Sequence, residues 1–483
     1  MPNGLQPRNI LFSVPGKRCG NLLIACLLLS GCSLVPTWHR PTVSMASQWS
    51  SSLPNGEKTV PAGGAWWQNF GSDELDEIMA RGLSKNFNLQ AAMSRVEEAQ
   101  GVAEVNGAAR YPALSLTGLY TRQNNYSTTA KAGVYGQASY EVDFWGKNQA
   151  RFHSADALAK ASFFDAQTVR MTLTATIADT YFQVLSLNER IALAQRIAAD
   201  EQRILGLIQT QARLGVASSL EVEQQLNVMQ TYLATVKTLQ QQSDQARFML
   251  AVLAGENPES LHIQTNDLTH ITAPIPQTSF PAALLRRRPD IQAAEARLIS
   301  ANDDIGAARA AFLPDITITP QAGIDTLTGG TLWSLISNLT QPVFAGGALR
   351  GQLKVDNAHA RELAASYKET LLEAFQDVET QLSAVNQFSQ ADAFNAAAVA
   401  SAREADRLAQ IRFKLGSIDY QTLLTVERTL YQSEDQRLQM KLLRLQATVG
   451  LFRALGGDFS TTAQQPASGK TAHISGGITR DQS

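Results

Sequence analysis

The chain has 483 residues, of which 44% are hydrophobic, and its 41 basic and 43 acidic residues leave a formal net charge of -2. A chain of this length can bury a large core, and its balanced charge gives no electrostatic basis for binding nucleic acid. The sequence contains no phosphate-binding glycine loop and no paired-cysteine motif, and its six histidines are scattered. It therefore indicates no cofactor, no metal site and no enzymatic activity.

Residues 1–31 have the pattern of a lipoprotein signal peptide. Basic residues precede the apolar run Leu22–Leu29, which is too short to span a bilayer. The run leads into Leu29-Ser30-Gly31-Cys32, which resembles a lipobox, so we expect Cys32 to be the lipid anchor. The alternative is an ordinary signal peptide with a chance cysteine. Because the next segment is rich in Ser, Pro and Gly, we predict a lipidated, irregular tether over residues 32–70.

Long helices are predicted beyond the tether. The chain has no proline between Pro112 and Pro258, and none between Pro342 and Pro466. In the first of these tracts, apolar residues recur at spacings of three, four or seven, as in a coiled-coil seam. A helix over residues 147–214 would be roughly 100 Å long. No stretch of about 18 apolar residues follows the signal peptide, so any deeper membrane contact must be made by β-strands.

The two halves of the chain resemble each other, which indicates a tandem duplication. Asn88–Ala92 is echoed by Asp290–Ala294, and Ala108–Pro112 is echoed by Ala310–Pro314 at the same separation. We predict a first repeat at 71–256 with a hairpin tip at about 214–220, a linker at 257–280, a second repeat at 281–457 with a tip at about 415–421, and a polar tail at 458–483.

Each repeat is predicted to contain two β-strands, at about 113–123 and 134–145 in the first and at about 314–325 and 332–343 in the second. Apolar residues alternate with polar residues along them, least cleanly in the last strand. Such strands fit a membrane barrel with an aqueous lumen, although soluble hairpins packed on a helical body are the alternative. Four strands are too few to close a barrel, so a membrane location requires several copies to share one.

Each half also predicts an antiparallel helical hairpin with a tight tip. Gly215 and Gly416 can adopt the left-handed conformation that ends a helix. Ser218 and Glu221 have the spacing of a capping box, which satisfies exposed amides at the start of the next helix. Asp419 can cap the helix that follows Gly416.

In these features the chain resembles the outer-membrane efflux proteins of the TolC family, specifically the NodT-like lipoprotein branch. The likeness runs from the lipobox to about Gly457 and is most specific in Leu285–Ile291, Ile305–Pro314 and Leu214–Val222. It implies a mainly α fold with a membrane β-barrel. Long coiled helical hairpins would form a periplasmic tunnel, and a homotrimer would contribute four strands per chain to a shared twelve-stranded barrel.

The resemblance also implies partners. The channel would passively conduct drugs or other small toxic compounds from an inner-membrane efflux pump, and a periplasmic adaptor (membrane fusion) protein would contact the hairpin tips. The alternative role of the tip residues is only to turn and cap the helices. Carried over to this sequence, the adaptor contact falls on Gly215, Val216, Ala217, Ser218, Leu220 and Gly416.

In this family, acidic residues on the second tip ring the closed end of the tunnel. The corresponding positions here are Thr422 and Thr425, so Asp419 is the nearest acid. The candidate aperture is therefore Asp419, with Tyr420 and Leu423 as further candidates. The alternative role of Asp419 is to cap the following helix.

A non-conducting structural or adhesive outer-membrane lipoprotein with a coiled helical stalk is the alternative function. Two amphipathic strand pairs, one repeat apart, favour the channel. We expect a lipid-anchored outer-membrane protein with a large periplasmic part. Arg286, Arg287 and Arg288 suggest either an anion site or a solvated or interface role at a helix start, and we favour the second.

Overall fold

A computed structural model describes residues 34–51, 59–125, 127–278 and 280–457 of the chain. Three predicted features lie outside the described residues: the signal peptide at 1–31, the lipid anchor Cys32 and the tail at 458–483. The chain divides into two compact units. Among the described residues, the first draws from 34–39, 101–157 and 299–361, and the second from 40–100, 158–298 and 362–457.

Most of the described residues are helical. The α-helices are α1 (Asp73–Lys85), α2 (Phe87–Ala108), α3 (Lys147–Arg213), α4 (Ser219–Leu253), α5 (Leu284–Arg287), α6 (Pro289–Ala310), α7 (Ala348–Lys414) and α8 (Tyr420–Ala454). α3 and α7 each run for 67 residues, because neither contains a proline to interrupt its backbone hydrogen bonds. The prediction of long helices is confirmed. No helix in the four described ranges is long and apolar enough to cross a bilayer.

The strands are β1 (Thr59–Val60), β2 (Ala113–Asn125), β3 (Ser127–Val142), β4 (Ile275–Pro276), β5 (Asp315–Asp325) and β6 (Thr331–Thr340). β1 and β4 make a short parallel pair in the second unit. The other four form one antiparallel sheet in the first unit, in the order β2-β3-β5-β6. The strands predicted at about 113–123 and 314–325 correspond to β2 and β5.

The register of this sheet gathers the apolar residues on one face. Leu114 lies opposite Ala138, and Ile316 lies opposite Leu339. Directly opposed residues of antiparallel strands point to the same side of the sheet, so the four strands share one apolar face. Much of that face is exposed in the single chain, where Trp333 keeps 83% of its surface accessible.

The boundaries predicted for the second strand need correction. The strand expected at about 134–145 begins earlier and ends at Val142. It ends there because the carboxylate of Asp143 accepts hydrogen bonds from the backbone N–H groups of Asn148 (3.0 Å) and Gln149 (2.7 Å), which starts α3. The local turn chemistry therefore outweighs the strand alternation at this point.

The fourth strand is also shorter than predicted. It ends at Thr340 rather than near 343, since Pro342 has no N–H group to donate to a ladder. Its uneven alternation has a structural counterpart. Leu332 and Ile336 lie opposite residues of the more polar face of β5, so β6 carries apolar side chains on both faces.

An aromatic core holds the second unit together. Trp66 stacks on Phe452 of α8 with ring centroids 5.1 Å apart, and Phe70 packs on Phe182 of α3 at 5.0 Å. Trp66 and Phe70 are 1% and 0% exposed. The predicted tether to residue 70 is therefore wrong in its last part, because these aromatic residues form a buried 3-10 helix instead.

The described tether residues 34–51 have no helix or strand, as predicted. Within the second unit, Arg40 makes a bidentate ion pair with Glu295 of α6, at 2.7 and 2.9 Å. The backbone N–H groups of Ser50 and Ser51 donate to the carboxylate of Glu379 on α7, at 2.6 and 3.1 Å. This part of the tether is thus fixed to the helices by side-chain acceptors.

Arg288 has an interior structural role in the second unit. Its guanidinium donates to both carboxylate oxygens of Asp290 (3.1 and 2.7 Å), to Asp377 (3.3 Å) and to the carbonyl oxygen of Ala454 at the end of α8 (3.2 Å). Arg287, by contrast, is exposed. A solvated role is therefore wrong for Arg288, whose guanidinium is buried among acceptors of its own chain.

Candidate functional site

The first hairpin tip joins α3 to α4. Gly215 has a φ of 76°, in the left-handed region that favours glycine. The N–H groups of Val216 and Ala217 both donate to the carbonyl of Gln211, at 2.9 and 3.3 Å, and so satisfy the end of α3. Ser218 caps α4, and both bonds of its capping box with Glu221 are present. The predicted turn chemistry is confirmed.

The second tip joins α7 to α8 in the same way. Gly416 has a φ of 69°, and the N–H of Ser417 donates to the carbonyl of Arg412 at 2.8 Å. Asp419 caps α8 by accepting the N–H of Thr422 at 2.8 Å. Hydrogen bonds from the side chain and backbone of Thr422 hold the pKa of the Asp419 carboxyl below its usual value. The predicted capping role of Asp419 is confirmed.

The predicted adaptor-contact residues lie at the first tip and at the matching glycine of the second. Gly215, Val216, Ser218, Leu220 and Gly416 are exposed. Ala217 is half-buried and packs against the apolar cluster between the hairpins. A Cβ atom added at Gly215 or Gly416 would have no neighbouring atom within 4 Å, so the backbone of both tips is accessible to a partner.

Two further apolar residues belong to this exposed surface. Leu214 and Leu415 are 74% and 75% exposed, as much as Val216 at 76%. Neither leucine is in the predicted adaptor contact. Each immediately precedes a tip glycine, Leu214 before Gly215 and Leu415 before Gly416, and this shared position is the sequence signal that could have found them. We call the exposed residues Leu214, Gly215, Val216, Leu220, Leu415 and Gly416 the tip surface.

The three aperture candidates differ in accessibility. Asp419 is exposed. Tyr420 and Leu423 are only 5% and 3% exposed, covered by side chains of their own chain. The hydroxyl of Tyr420 donates to Oε1 of Gln225 on α4. Of the three, only Asp419 offers its side chain to solvent in the single chain.

The two hairpins pack on each other above the tips. Ile208 of α3 and Val228 of α4 form one apolar cluster with Tyr420 and Leu424 of α8. Beside it, a groove of about 380 Å³ runs between the first turns of α4 and α8. Its lining mixes apolar and polar side chains: Leu220, Glu223, Gln224, Asn227, Val228, Gln421, Leu424 and Arg428.

In the part of the chain that the structure describes, no group of three or more His, Cys, Asp or Glu residues could hold a metal ion. What the tips present instead is open backbone, exposed apolar side chains and a helix-capping carboxylate. Such a surface suits the docking of a protein partner.

Comparison with known proteins covers most of the chain. The sequence model described as "Outer membrane efflux protein" matches residues 80–256 and 280–457. The chain is 34% identical over 466 residues to the pyoverdine export outer membrane protein OpmQ of Pseudomonas aeruginosa, covering 92% of this chain and 98% of that protein. It is 30% identical over 468 residues to the toluene efflux pump outer membrane protein TtgF of Pseudomonas putida, covering 91% and 96%.

Solved structures give the same result at the level of the fold. The outer-membrane channel OprN superposes with a TM-score of 0.82 at 25% identity, covering 88% of this chain and 99% of that one. A membrane protein from Pseudomonas aeruginosa superposes with a TM-score of 0.81 at 27% identity, covering 88% and 100%. The likeness therefore extends over the sheet as well as the long helices.

Proposed function

This chain belongs to the outer membrane efflux protein family, and from that membership we propose that it is the outer-membrane channel of a tripartite efflux system. It is not an enzyme. It conducts drugs or other small toxic compounds passively, from an inner-membrane pump and a periplasmic adaptor to the outside of the cell. The comparison that carries the proposal is the likeness to efflux components over nearly the whole chain.

The sheet supports a shared pore. Among the described residues, β2 and β6 are the edges of the four-stranded sheet, and each pairs with a neighbour on one side only. In lipid the apolar face must point outward and the strand edges must be paired, because unpaired backbone groups are costly there. Three copies that join edge to edge satisfy both requirements. A current through purified protein in planar bilayers tests this proposal against the non-conducting stalk.

The tip surface is the proposed site of adaptor docking. Gly215→Asp should lower crosslinking to the adaptor about tenfold or more, because it adds a charge beside exposed apolar residues and strains a backbone at φ 76°. Crosslinking yield in cells, normalised to the amount of trimer, is the measurement.

Two control variants separate the causes. Gly206→Asp places the same charge on an exposed part of α3 away from the tip and should leave the yield unchanged. Gly215→Ala introduces the strain without the charge. If Gly215→Asp crosslinks as well as the parent does, the tip only turns the chain and the adaptor docks elsewhere.

Asp419 is the proposed aperture residue, since three exposed carboxylates around a threefold axis attract cations. Asp419→Ala should lower the preference for cations over anions severalfold and change single-channel conductance, with a small fall in melting temperature from the lost cap. Ser218→Ala is the matched control, because it removes the corresponding cap of α4. Equal selectivity of Asp419→Ala and the parent, with a lower melting temperature, would leave Asp419 as a cap alone.

A further inference from the structure

Polar side chains are buried between the two hairpins of the second unit. The amide of Gln225 on α4 donates to the carboxylate and the carbonyl oxygen of Glu201 on α3, at 2.5 and 2.8 Å, and accepts from the hydroxyl of Tyr420 on α8. Glu201 and Gln225 are 1% and 0% exposed. This network therefore joins both helices of the first hairpin to the second hairpin.

Glu427 of α8 lies in the same region and is 2% exposed. Its Oε2 atom is buried and has no hydrogen-bond partner within the described residues. A charged carboxylate with a buried, unbonded oxygen is costly in such a place, whereas a protonated carboxyl is tolerated far better. The titratable groups that act on it or share its surroundings are Asp200 and Glu201 on α3, Tyr232 on α4, Asp406 on α7, and Tyr420 and Tyr431 on α8.

The charges that act most strongly on Glu427 are all negative. Burial, and after it the charges of Glu201, Asp406 and Asp200, raise the pKa of Glu427 to about 8. Burial also raises the pKa of Glu201 and of Asp406. The nearby cation Arg428 acts on Glu201, lowering its pKa, and offsets only part of this effect. The packed hairpins consequently favour a neutral Glu427 near neutral pH.

The neighbours of Glu427 come from both hairpins, so its ionisation affects their contact. Asp200 and Glu201 belong to the first hairpin, and Asp406 belongs to the second. A negative charge on Glu427 would repel all three and would have no hydrogen-bonding partner for Oε2. Water that enters between the hairpins would solvate this charge, so ionisation and loosening favour each other.

We propose that Glu427 binds a proton when the two hairpins are packed and that loss of this proton loosens the contact between them. The device is built from the buried carboxyl groups and the Tyr420–Gln225–Glu201 network. It acts within one chain and does not depend on which compound the protein conducts. If the proposed channel function holds as well, the device makes the tip region of the channel responsive to periplasmic pH.

The direction of the pH effect follows from linkage. A carboxyl whose pKa rises on packing stabilises the packed state fully below its ordinary value of 4.5, and this stabilisation is lost as the pH rises toward about 8. Between pH 4.5 and about pH 8, the release of one proton from Glu427 is linked to loosening, so the equilibrium constant for loosening rises by at most about tenfold per pH unit. Above about pH 8, where Glu427 is already ionised, this equilibrium constant no longer changes with pH.

Hydrogen exchange of the purified, full-length trimer measures this equilibrium. Amides near the cluster on α4 and α8 should lose protection as the pH rises from about 5.5 to about 8, after correction for the intrinsic exchange rate. In Glu427→Gln, a neutral side chain of the same shape, the protection should remain high and depend much less on pH. Tyr420→Phe should lower protection at every pH, because it removes the bond to Gln225.

Glu223→Gln is the matched control, since Glu223 is an exposed acid on α4 near the same level. It should keep the pH dependence of the parent. The proposal is overturned if Glu427→Gln shows the same pH dependence as the parent. It is also overturned if neither Glu427→Gln nor Glu427→Met assembles into the packed trimer, because a neutral side chain is what the packed state is inferred to hold.

Discussion

Arg288→Met should destabilise the protein by about 3 kcal/mol, because it removes one partner of a buried charge network. The guanidinium is 8% exposed and bonds two aspartates and the carbonyl of Ala454. After the substitution that carbonyl and both carboxylates lose the guanidinium, although Asp290 still accepts from the N–H of Ile291 and Asp377 stays 3.6 Å from Arg453. The estimate is at the low end of the range for buried pairs, since Asp290 and Asp377 are 25% and 33% exposed and water screens part of the loss.

Arg287→Met is the matched control for this prediction. Arg287 is the preceding residue and is exposed, so its replacement should change the free energy of unfolding by less than about 0.5 kcal/mol. Urea unfolding of the detergent-solubilised protein, followed by helical circular dichroism, compares the two variants. Equal stability of the two would mean that the contacts of Arg288 contribute nothing net and that its burial has another cause.

The second large effect concerns assembly: the folded protein should exist only as a trimer. Each chain supplies four strands with two unpaired edges, and large apolar residues such as Leu114 and Trp333 are 83% exposed on one face of that sheet. A folded monomer in a membrane would leave those edges in lipid, which is strongly unfavourable. Association of three chains would therefore pair the open strand edges and complete the barrel in one step.

Light scattering corrected for bound detergent measures this prediction. The folded preparation should show three times the mass of the mature chain, which is 52.3 kDa less the predicted signal peptide, at every dilution that retains helical structure. The same sample denatured by heat in strong detergent is the control and should give the mass of a single chain. A stable, folded species of one chain mass would contradict both the shared barrel and the tunnel.

The parts of this fold that depend on local chemistry were readable from the sequence. The turns at Gly215 and Gly416 and the cap at Asp419 each involve residues within one helical turn of one another, so spacing alone predicts them. The 67-residue helices follow from the absence of proline. Residues 66–70 were misassigned because the Ser, Pro and Gly that precede them dominated the composition of the segment.

The interior of the hairpin pair was not readable in this way. Tyr420 and Leu423 are predicted aperture residues, yet both are buried. Tyr420 bonds to Gln225 and packs with Ile208 of the first hairpin, which is far away in sequence. Nothing in the sequence indicates that Glu427 is buried, since an acidic residue on a helix is normally solvated. Acidic side chains of α3 and α7 act on it in the folded chain, and neither the helical period nor the capping pattern of the sequence encodes that proximity.

Single-channel recording in planar bilayers tests the central claim, that this chain forms a conducting pore, most directly. Purified trimer should insert and produce discrete current steps of uniform size. The same preparation after thermal dissociation should produce none. If trimers of confirmed mass and helical content insert but carry no current across a wide voltage range and at acidic, neutral and alkaline pH, the chain is a stalk and not a channel.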